Sequence, residues 1–423
     1  MKFVPMLLAL CALGAEAAVT VTVMQVRQRF PWNGCVDVDY TIDGYPASGA
    51  GSDPSDYVLS LRFMATLDGV VKTIVPTNFA SHAACDLPTA AGANRATWNA
   101  AADGWTFQAG DLTASAELRY APVTEASADV MIVDISGGPL APKYPVRLVK
   151  GCLDRLAEFN IRPYKSERLV FRKVRKGDFW VGWCNTETAT IGTSNNQRHC
   201  VRLTKDYYLA LFETTIAQAR CLIGADATKW YAGYGLEVQD QFPIRRLAIQ
   251  NGAAMTAHTG IQNLNVKTSR HGVAMTGFGL PTEAQWEVAC RAGVTTTCMW
   301  GDSFGNGSQA HAYGNAYGAS RIVEVGLYAP NAWGFYDMIG NVAEFTCDRG
   351  NTGSYDFGGA AGTAEDPVVD PSANDGSNYS YIRGGYWSDT SWITFTPGYR
   401  ASAVSYADGS GTTGFRLCRT VAE

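Results

Sequence analysis

The sequence predicts a multi-domain chain, with an all-β sandwich first and then a domain of short helices, short strands and much irregular backbone. The prediction rests on two observations. Short runs of alternating apolar and polar side chains, separated by turn residues, fill residues 19–140, and such alternation is typical of half-buried strands. Beyond residue 167, short capped helical segments lie in a background rich in Gly, Asn, Trp and Tyr. A length of 423 residues also exceeds what one ordinary core holds.

A short apolar segment opens the chain. Phe3–Leu13 follows a positive residue and has the length of a secretory signal, but it is too short to span a bilayer. Ala15-Glu16-Ala17 fits the small-x-small pattern of a cleavage site. Cys11 could mark a lipoprotein signal instead, but the leucine before it is larger than such signals prefer. We therefore predict that residues 1–18 are a signal peptide. The mature protein would then be secreted, periplasmic or extracellular, and would have no membrane span.

Strands are predicted wherever the alternation is clear within residues 19–140. These runs are Val19–Val23, Val36–Ile42, Tyr57–Leu67, Thr113–Tyr120 and Asp129–Ile135. Little helical periodicity interrupts the series, so we expect one sandwich that resembles a fibronectin-III or Ig-like module. The next stretch, 141–166, has three prolines and mixed polarity, and we predict that it is a linker. The second domain would then cover residues 167–423.

Two helices of the second domain carry clear start signals. Thr215 and Thr282 are each followed three residues later by glutamine, which is the pattern of a capping box. Gly224 and Gly293 stand where these helices would end. Both segments are short, so a domain built on them needs further sources of rigidity such as buried aromatic side chains, disulfides or metal ions.

Composition excludes several classes of partner and site. A net charge of -5 and a pI of about 5.6 argue against a nucleic-acid or anionic-membrane partner, since both favour a basic surface. Ten cysteines remain after the one in the predicted signal peptide is removed. Export would permit disulfides, and an even number would allow full pairing, but the sequence does not reveal the pairs. Because no CxxC motif occurs, a structural zinc site is not expected.

Seven sequence blocks follow one another in the second domain. They are Trp180-Val181-Gly182, Tyr207-Tyr208-Leu209 with Glu213-Thr214-Thr215, Leu280–Glu287, Trp300-Gly301, Pro330–Phe345, Arg383–Trp387 and Gly414-Phe415-Arg416-Leu417. In this order they resemble the formylglycine-generating enzyme family, also called the sulfatase-modifying factor family. The stretch Pro330–Phe345 is the most diagnostic of them. The resemblance implies an α+β, C-type-lectin-like domain of the formylglycine-generating-enzyme type, with much irregular structure, over residues 167–423.

One block has the composition of a calcium loop. Asp337-x-x-Gly340-x-Val342-x-Glu344 places two carboxylates around a glycine-containing bend, and carboxylates with backbone carbonyls are the ligands that calcium prefers. From the residues alone, a turn with two solvated acids is the favoured interpretation. The family resemblance implies a structural calcium ion that is held by the side chains of Asp337 and Glu344 and by the carbonyls of Gly340 and Val342.

The catalytic question depends on two cysteines. The resemblance implies an enzyme that oxidises a cysteine of a client protein with molecular oxygen at a copper(I) ion. In the family, two cysteine thiolates that follow the Arg-Gly-Gly block hold this ion, and soft thiolates are the ligands that copper(I) prefers. In this sequence the two positions fall near Asp389 and Thr394, and no cysteine occurs between Gly384 and Leu417. Hard oxygen groups cannot replace the thiolate pair. We therefore expect no copper site, no catalytic residues of this kind and no formylglycine generation by the two-cysteine mechanism.

Two functions stay open on the sequence. The first is a non-catalytic binding or structural protein for a peptide or glycan, with a ligand groove lined by Trp387, Asp389, Trp392 and Arg400. Trp387 could equally be a core residue. The alternative is an oxygen-dependent oxidoreductase or protein-modifying enzyme with altered chemistry. The five histidines show no His-x-His or His-x-x-x-His spacing, so no iron site is supported by a motif.

Overall fold

The computed structural model describes residues 19–29, 33–106, 112–182, 198–224, 239–245, 257–302, 321–349, 363–372, 374, 379–405 and 411–422, together with the backbone of Leu7–Leu8. The chain divides into two compact units. The first unit consists of Met1–Asp129 and Arg147–Pro163, and the second consists of Val130–Val146 and Tyr164–Glu423. Neither unit is therefore one continuous stretch of sequence.

The first unit contains two antiparallel sheets. Its strands are β1 (Leu7–Leu8), β2 (Thr20–Gln28), β3 (Cys35–Asp43), β4 (Tyr57–Leu67), β5 (Val70–Ile74), β6 (Gly92–Asn99) and β7 (Leu112–Tyr120). One sheet has the order β1-β2-β3-β6 and the other has the order β5-β4-β7. Predicted strands at β2, β3, β4 and β7 are confirmed, and β4 has the predicted bounds. The alternation predicted them because one face of each strand meets the core.

Side chains of both sheets form a single core in this unit. Phe63 of β4 and Trp98 of β6 stack with ring centroids 4.4 Å apart, and Trp98 Nε1 donates to Asp103 Oδ2 at 2.6 Å. A buried tryptophan is stable there because its one polar atom has a partner. Two sheets around one core make a β-sandwich, whereas its kinship with fibronectin-III or Ig-like modules stays a prediction.

Two strands lie where the sequence suggested other structure. β8 (Val130–Asp134) was predicted as part of the sandwich, yet it pairs antiparallel with β10 (Arg168–Val174) of the second unit. Its continuous apolar run is buried, as in a central strand, and such a run does not reveal which sheet it joins. The stretch 141–166, predicted as a linker, contains β9 (Tyr144–Val149) and 3-10 turns at Leu153–Phe159 and Arg162–Lys165. Its prolines concealed the alternation of β9.

Within its described residues, the second unit combines short strands with three α-helices. Besides β8, β10 and the first half of β9, its strands are β11 (Gly177–Val181), β12 (His199–Leu203), β13 (Tyr207–Ala210), β14 (Thr268–Arg270), β15 (Val273–Ala274), β16 (Phe278–Gly279), β17 (Ala343–Arg349), β18 (Val368–Val369), β19 (Tyr379–Arg383), β20 (Ala401–Ser405), β21 (Thr413–Gly414) and β22 (Cys418–Thr420). Its sheets have the orders β15-β14-β9-β8-β10-β13-β22-β16, β11-β12-β18 and β20-β19-β17-β21. The helices are α1 (Ile216–Ile223), α2 (Ala257–Lys267) and α3 (Glu283–Arg291).

Both predicted capping boxes are present. The hydroxyl of Thr215 accepts from the N–H of Gln218, and the hydroxyl of Thr282 accepts from that of Gln285, at 3.1 Å in each case. Helix α1 ends at Gly224 as predicted. Helix α3 ends at Ala292, which has a left-handed φ of 49°, one residue before the predicted Gly293. Within the described residues, no helix has the length and apolar character needed to cross a membrane.

Candidate functional site

A buried loop in the second unit holds the predicted calcium ligands. Asp337, Gly340 and Asn341 all adopt left-handed backbone conformations, with φ of 52°, 72° and 53°, and Asp, Asn and Gly tolerate this conformation best. The loop is fixed from outside by Glu213, whose Oε2 accepts from Asn341 Nδ2 at 2.7 Å and whose Oε1 accepts from the N–H of Val342 at 3.1 Å. Burial, and repulsion by nearby carboxylates, raise the pKa of Glu213 well above its ordinary value.

Arg416 of the Gly-Phe-Arg block places a buried positive charge beside this loop. Arg416 is fully buried, and its Nη2 lies 2.6 Å from Oε1 of Glu344. Trp286 Nε1 donates to Oε2 of the same carboxylate at 2.8 Å. The remaining guanidinium N–H groups donate to backbone carbonyls of Ala210, Leu211, Tyr336 and Asp337. A buried ion pair is stable only when the surrounding donors and acceptors are satisfied in this way.

The predicted calcium set fits an ion only in part. Asp337 Oδ2 accepts from the N–H of Gly326 at 2.6 Å, while Oδ1 is buried and lacks a hydrogen-bond partner among the described residues. Such an orphan oxygen suits a metal ligand. Glu344, by contrast, is already neutralised by Arg416. The N–H groups of Gly340 and Val342 donate to Gly384 O and Glu213. In the described ranges, no group of three His, Cys, Asp or Glu side chains could hold a metal ion, so calcium stays a prediction.

A second buried charge cluster lies along helix α3. Glu283, Glu287 and Arg291 are four residues apart, which places them on one helix face. Glu287 Oε1 accepts from Arg291 Nη2 at 2.7 Å, and Glu287 Oε2 pairs with Arg383. Glu283 Oε1 pairs with Arg400 Nε at 2.8 Å and with Arg383 Nε at 3.2 Å. Burial would raise the pKa of Glu287, but Arg291 and Arg383 outweigh it and lower the pKa to about 2.

Arg383 begins the Arg-Gly-Gly block and fixes the segment that follows it. Its Nη1 donates to the carbonyls of Pro397 and Tyr399 at 2.9 and 2.7 Å. Gly384 and Gly385 then turn the chain with φ of 91° and 67°. A Cβ atom at Gly385 would lie 3.0 Å from both the ring of Phe395 and the carbonyl oxygen of Thr394. The two glycines are therefore required by backbone conformation and by space, and the charge cluster holds residues 383–400 in place.

The two residues predicted to fall near the family's cysteine positions are Asp389 and Thr394. The side chains of Thr394 and Tyr386 act on the carboxyl of Asp389, since both lower its pKa against the larger effect of burial. The backbone joins the same group, since the N–H of Tyr386 donates to Asp389 Oδ2 at 3.1 Å and that of Asp389 donates to Tyr386 O at 3.0 Å. Burial is the main reason why the pKa of Asp389 is raised. The pKa values of Tyr386 and Tyr399 are raised as well, first by burial and then by the nearby Asp389.

The hydroxyl of Thr394 has a backbone partner. It donates its single proton to the carbonyl oxygen of Ser391 at 2.7 Å. The carboxyl of Asp389 can only accept when it is ionised, and it can also donate when it is protonated.

The structure changes the set of predicted groove residues. Trp387 is partly buried, and its indole nitrogen is buried without a partner in the part of the chain that the structure describes. Asp389 is partly exposed. Arg400 pairs with Glu283 and lies over the ring of Tyr381 at 5.2 Å, and its role toward a ligand stays a prediction. Trp392 begins a 3-10 turn, Trp392–Phe395, but its side chain lies outside the described residues.

Sequence reasoning missed three structural roles. Glu213, Arg416 and Tyr386 were each quoted as members of a sequence block, but none was given a contact. The signals were present in the Glu-Thr-Thr, Gly-Phe-Arg and Arg-Gly-Gly blocks. Their partners are distant in sequence, however, since Arg416 and Glu344 are 72 residues apart and Glu213 and Asn341 are 128 apart. Spacing within a block cannot reveal such pairs.

Comparison with known proteins agrees with the sequence blocks. The family model described as "Sulfatase-modifying factor enzyme 1-like domain" matches residues 169–421. The formylglycine-generating enzyme of Mycobacterium tuberculosis is 42% identical over 80 residues, which are 16% of this chain and 27% of that protein. The Streptomyces coelicolor enzyme is 30% identical over 154 residues, covering 33% of this chain and 46% of that protein. The chain thus spans less than half the length of these curated relatives.

Solved structures show a looser likeness. The variable protein 1 of Treponema denticola aligns with 60% of this chain and 96% of its own chain, with 21% identity and a TM-score of 0.44. PvdO from Pseudomonas aeruginosa aligns with 60% of this chain and 94% of its own, with 20% identity and a TM-score of 0.43. The family model covers more than half of the chain, and the matched range contains the buried loop, the Arg416 pair and the α3 cluster. The chain therefore belongs to the sulfatase-modifying factor enzyme family through its residues 169–421.

Proposed function

We propose that this chain is a secreted binding protein of the sulfatase-modifying factor family that recognises a peptide or glycan and does not oxidise it. One observation carries the proposal. Asp389, which falls near one of the family's two cysteine positions, is a partly exposed carboxyl that accepts from the N–H of Tyr386 at 3.1 Å, and Thr394, near the other position, influences its pKa. The scaffold that would support a redox centre thus supports a polar recognition group instead.

The chemistry of this group favours binding over oxidation. Carboxylate, hydroxyl and phenol oxygens are hard ligands, and copper(I) prefers soft thiolates. The same oxygens donate to and accept from the hydroxyl and amide groups that glycans and peptides present. Aromatic rings at Tyr386, Trp387 and Tyr399 supply apolar faces beside the polar atoms, as is common in small binding sites.

Two further parts of the proposal rest on separate observations. Secretion is supported by the apolar segment and the small-x-small pattern within residues 1–18. A structural calcium ion is supported by the orphan oxygen of Asp337, and its other ligands would include the carbonyls of Gly340 and Val342. Glu344 would contribute only if its ion pair with Arg416 rearranged.

An enzyme with altered chemistry is the second candidate. The observation that favours it is the raised pKa of Asp389 beside two tyrosines, because carboxyl groups with raised pKa values are common at acid–base sites. Such an oxygen-dependent or protein-modifying enzyme would need a redox cofactor or a second substrate, whereas a binding protein needs neither.

The test is a comparison of binding with redox activity on the full mature chain. Peptide and glycan libraries are screened, and the affinity of the strongest ligand is measured for the wild type and for Asp389→Ala and Tyr386→Phe. We expect binding to weaken about tenfold or more in both variants, which corresponds to roughly 1.4 kcal/mol. Thr390→Ala changes an exposed neighbour outside the group and is the matched control. Stoichiometric copper or iron with oxygen uptake, or binding unaffected by both variants, would contradict the proposal.

A further inference from the structure

The segment Arg147–Pro163 returns to the first unit after the chain has passed through residues 130–146 of the second. Polar contacts hold it there. Arg147 Nη2 donates to Tyr57 O at 2.9 Å, and Arg147 Nε lies 3.3 Å from Oδ1 of Asp86. The N–H of Gly151 donates to Asp129 Oδ2 at 2.7 Å. The returning segment therefore meets the sandwich close to the short 3-10 turn Ala84–Asp86.

Two cysteines lie at this meeting point. The N–H of Ala84 donates to Glu158 Oε2 at 2.8 Å, and Glu158 is held by Arg155. The turn Ala84–Asp86 and the turn Leu153–Phe159 are thus in direct contact. Cys85 belongs to the first turn and Cys152 immediately precedes the second. The Cys85 thiol is the largest cause of the raised pKa of Cys152, and both thiols are free in the structure.

We propose that Cys85 and Cys152 form a disulfide that closes the loop 86–151 and covalently ties the returning segment to the sandwich. Ala84 and Asp86 flank Cys85, and they contact Glu158 and Arg147, which lie on either side of Cys152, so little backbone movement is needed to bring the two thiols to bonding geometry. Cys35, the third described cysteine of this unit, begins strand β3, and it offers a comparison within the same unit.

The burial of the two thiols gives the order of the reaction. Cys85 is partly buried and Cys152 is fully buried, so a small disulfide oxidant reaches Cys85 first. The Cys85 thiolate attacks the oxidant, forms a mixed disulfide and releases one thiol. The Cys152 thiolate then attacks the Cys85 sulfur and releases the second thiol. In total, two protein thiols lose two protons and two electrons, and one oxidant disulfide is reduced to two thiols.

The first experiment needs no variant. The full chain is reduced, treated with oxidised glutathione, quenched in acid and alkylated, and its peptides are mapped by mass spectrometry without reduction. We expect one peptide pair that joins Cys85 to Cys152, and we expect Cys35 to be alkylated. The proposal is wrong if both thiols are alkylated, if Cys85 stops at the glutathione adduct, or if either cysteine is joined to a different partner.

The second experiment measures what the bond does to unfolding of the first unit. Tryptophan fluorescence follows thermal unfolding of the oxidised protein with and without a reductant. Reduction should lower the midpoint by several degrees in the wild type and in Cys35→Ser. In Cys85→Ser and in Cys152→Ala the reductant should cause no such shift. A shift of wild-type size in Cys85→Ser would overturn the assignment. Ligand binding at Asp389 is a separate readout, so failure here leaves the proposed function untouched.

Discussion

Glu287 is a single carboxylate on which much of the second unit depends. It is almost fully buried, accepts from the N–H of Gly182 at 2.6 Å and pairs with Arg291 and Arg383. An ionised group in such a place is stable only while its partners remain. Loss of either arginine, or of the carboxylate, would leave an uncompensated charge next to residues 383–400.

Glu287→Gln is expected to lower the free energy of unfolding by about 3–5 kcal/mol at neutral pH, because two buried arginines lose their counter-charge. The pKa of Glu287 falls from 4.5 to about 2 on folding. Its stabilising effect is therefore complete above about pH 4.5 and is lost as the pH falls toward 2. Urea unfolding at pH 7 and pH 3 should show a smaller gap between variant and wild type at pH 3. The exposed Glu365→Gln is the control and should change little at either pH.

Asp389 should have the opposite pH dependence. Its pKa is raised on folding, so the folded protein favours the protonated carboxyl. Stability from this group is greatest below the ordinary pKa of 3.8 and decreases as the pH rises through the raised value. Asp389→Asn keeps a donor and an acceptor but cannot ionise, so it should remove this decrease. Unfolding free energies measured from pH 3 to pH 8 test the difference. A parallel pH course in the two proteins would argue against the contacts assigned to Asp389.

At the level of elements, the turn after strand β19 positions the whole candidate groove. Gly385→Ala is expected to destabilise the protein by about 2–4 kcal/mol, since the left-handed conformation costs about 1–2 kcal/mol and the new Cβ meets Phe395 and Thr394 at 3.0 Å. Gly138 has a similar φ of 73° but nothing within 4 Å of its Cβ position. Gly138→Ala should therefore show only the conformational cost. Chemical denaturation of both variants measures the two losses of unfolding free energy. Equal losses would show that the new Cβ at position 385 meets no steric conflict.

Elements also show which features were predictable. Strands β2, β3, β4 and β7 alternate because one face of each is buried, and the pattern is local. Thr215 and Thr282 signal their helices for the same reason, since a capping box closes within four residues. β8 is buried in a central position, so its apolar run looks the same whichever sheet it joins. The exposed strand β5, with Val70 and Val71 on the surface, gave no alternation to detect.

At the scale of the whole molecule, a calcium ion that binds only the folded state would stabilise the protein against unfolding. A cation bound to the folded protein raises its stability by about 2.7 kcal/mol at a hundred times the dissociation constant. We expect calcium to raise the unfolding midpoint of the wild type and a chelator to lower it. Asp337→Asn should weaken or remove this response, because Oδ1 of Asp337 is the uncommitted oxygen. Asp43→Asn, at an exposed carboxylate, should respond like the wild type. An equal response in both variants would exclude Asp337 as a ligand.

The candidate site was only partly predictable at this scale. Counting from the Arg-Gly-Gly block predicted that the family's cysteine positions fall near Asp389 and Thr394, and Thr394 influences the pKa of Asp389. Arg400 was predicted to line a ligand groove, and its hydrogen bond to Glu283, 117 residues earlier, was not predicted. Ion pairs between residues so far apart in sequence form only in the folded protein, and no periodic sequence pattern predicts them.

The course of the backbone through the two units has a consequence for synthesis and for engineering. A ribosome that has made residues 1–140 has not yet supplied Arg147–Pro163, so the sandwich is incomplete until more than twenty further residues have emerged. Residues 130–146 include strand β8, and its partner strand β10 is synthesised later. Neither unit can be cut out or exchanged as one contiguous cassette, and a gene fusion joined near residue 140 would divide both of them.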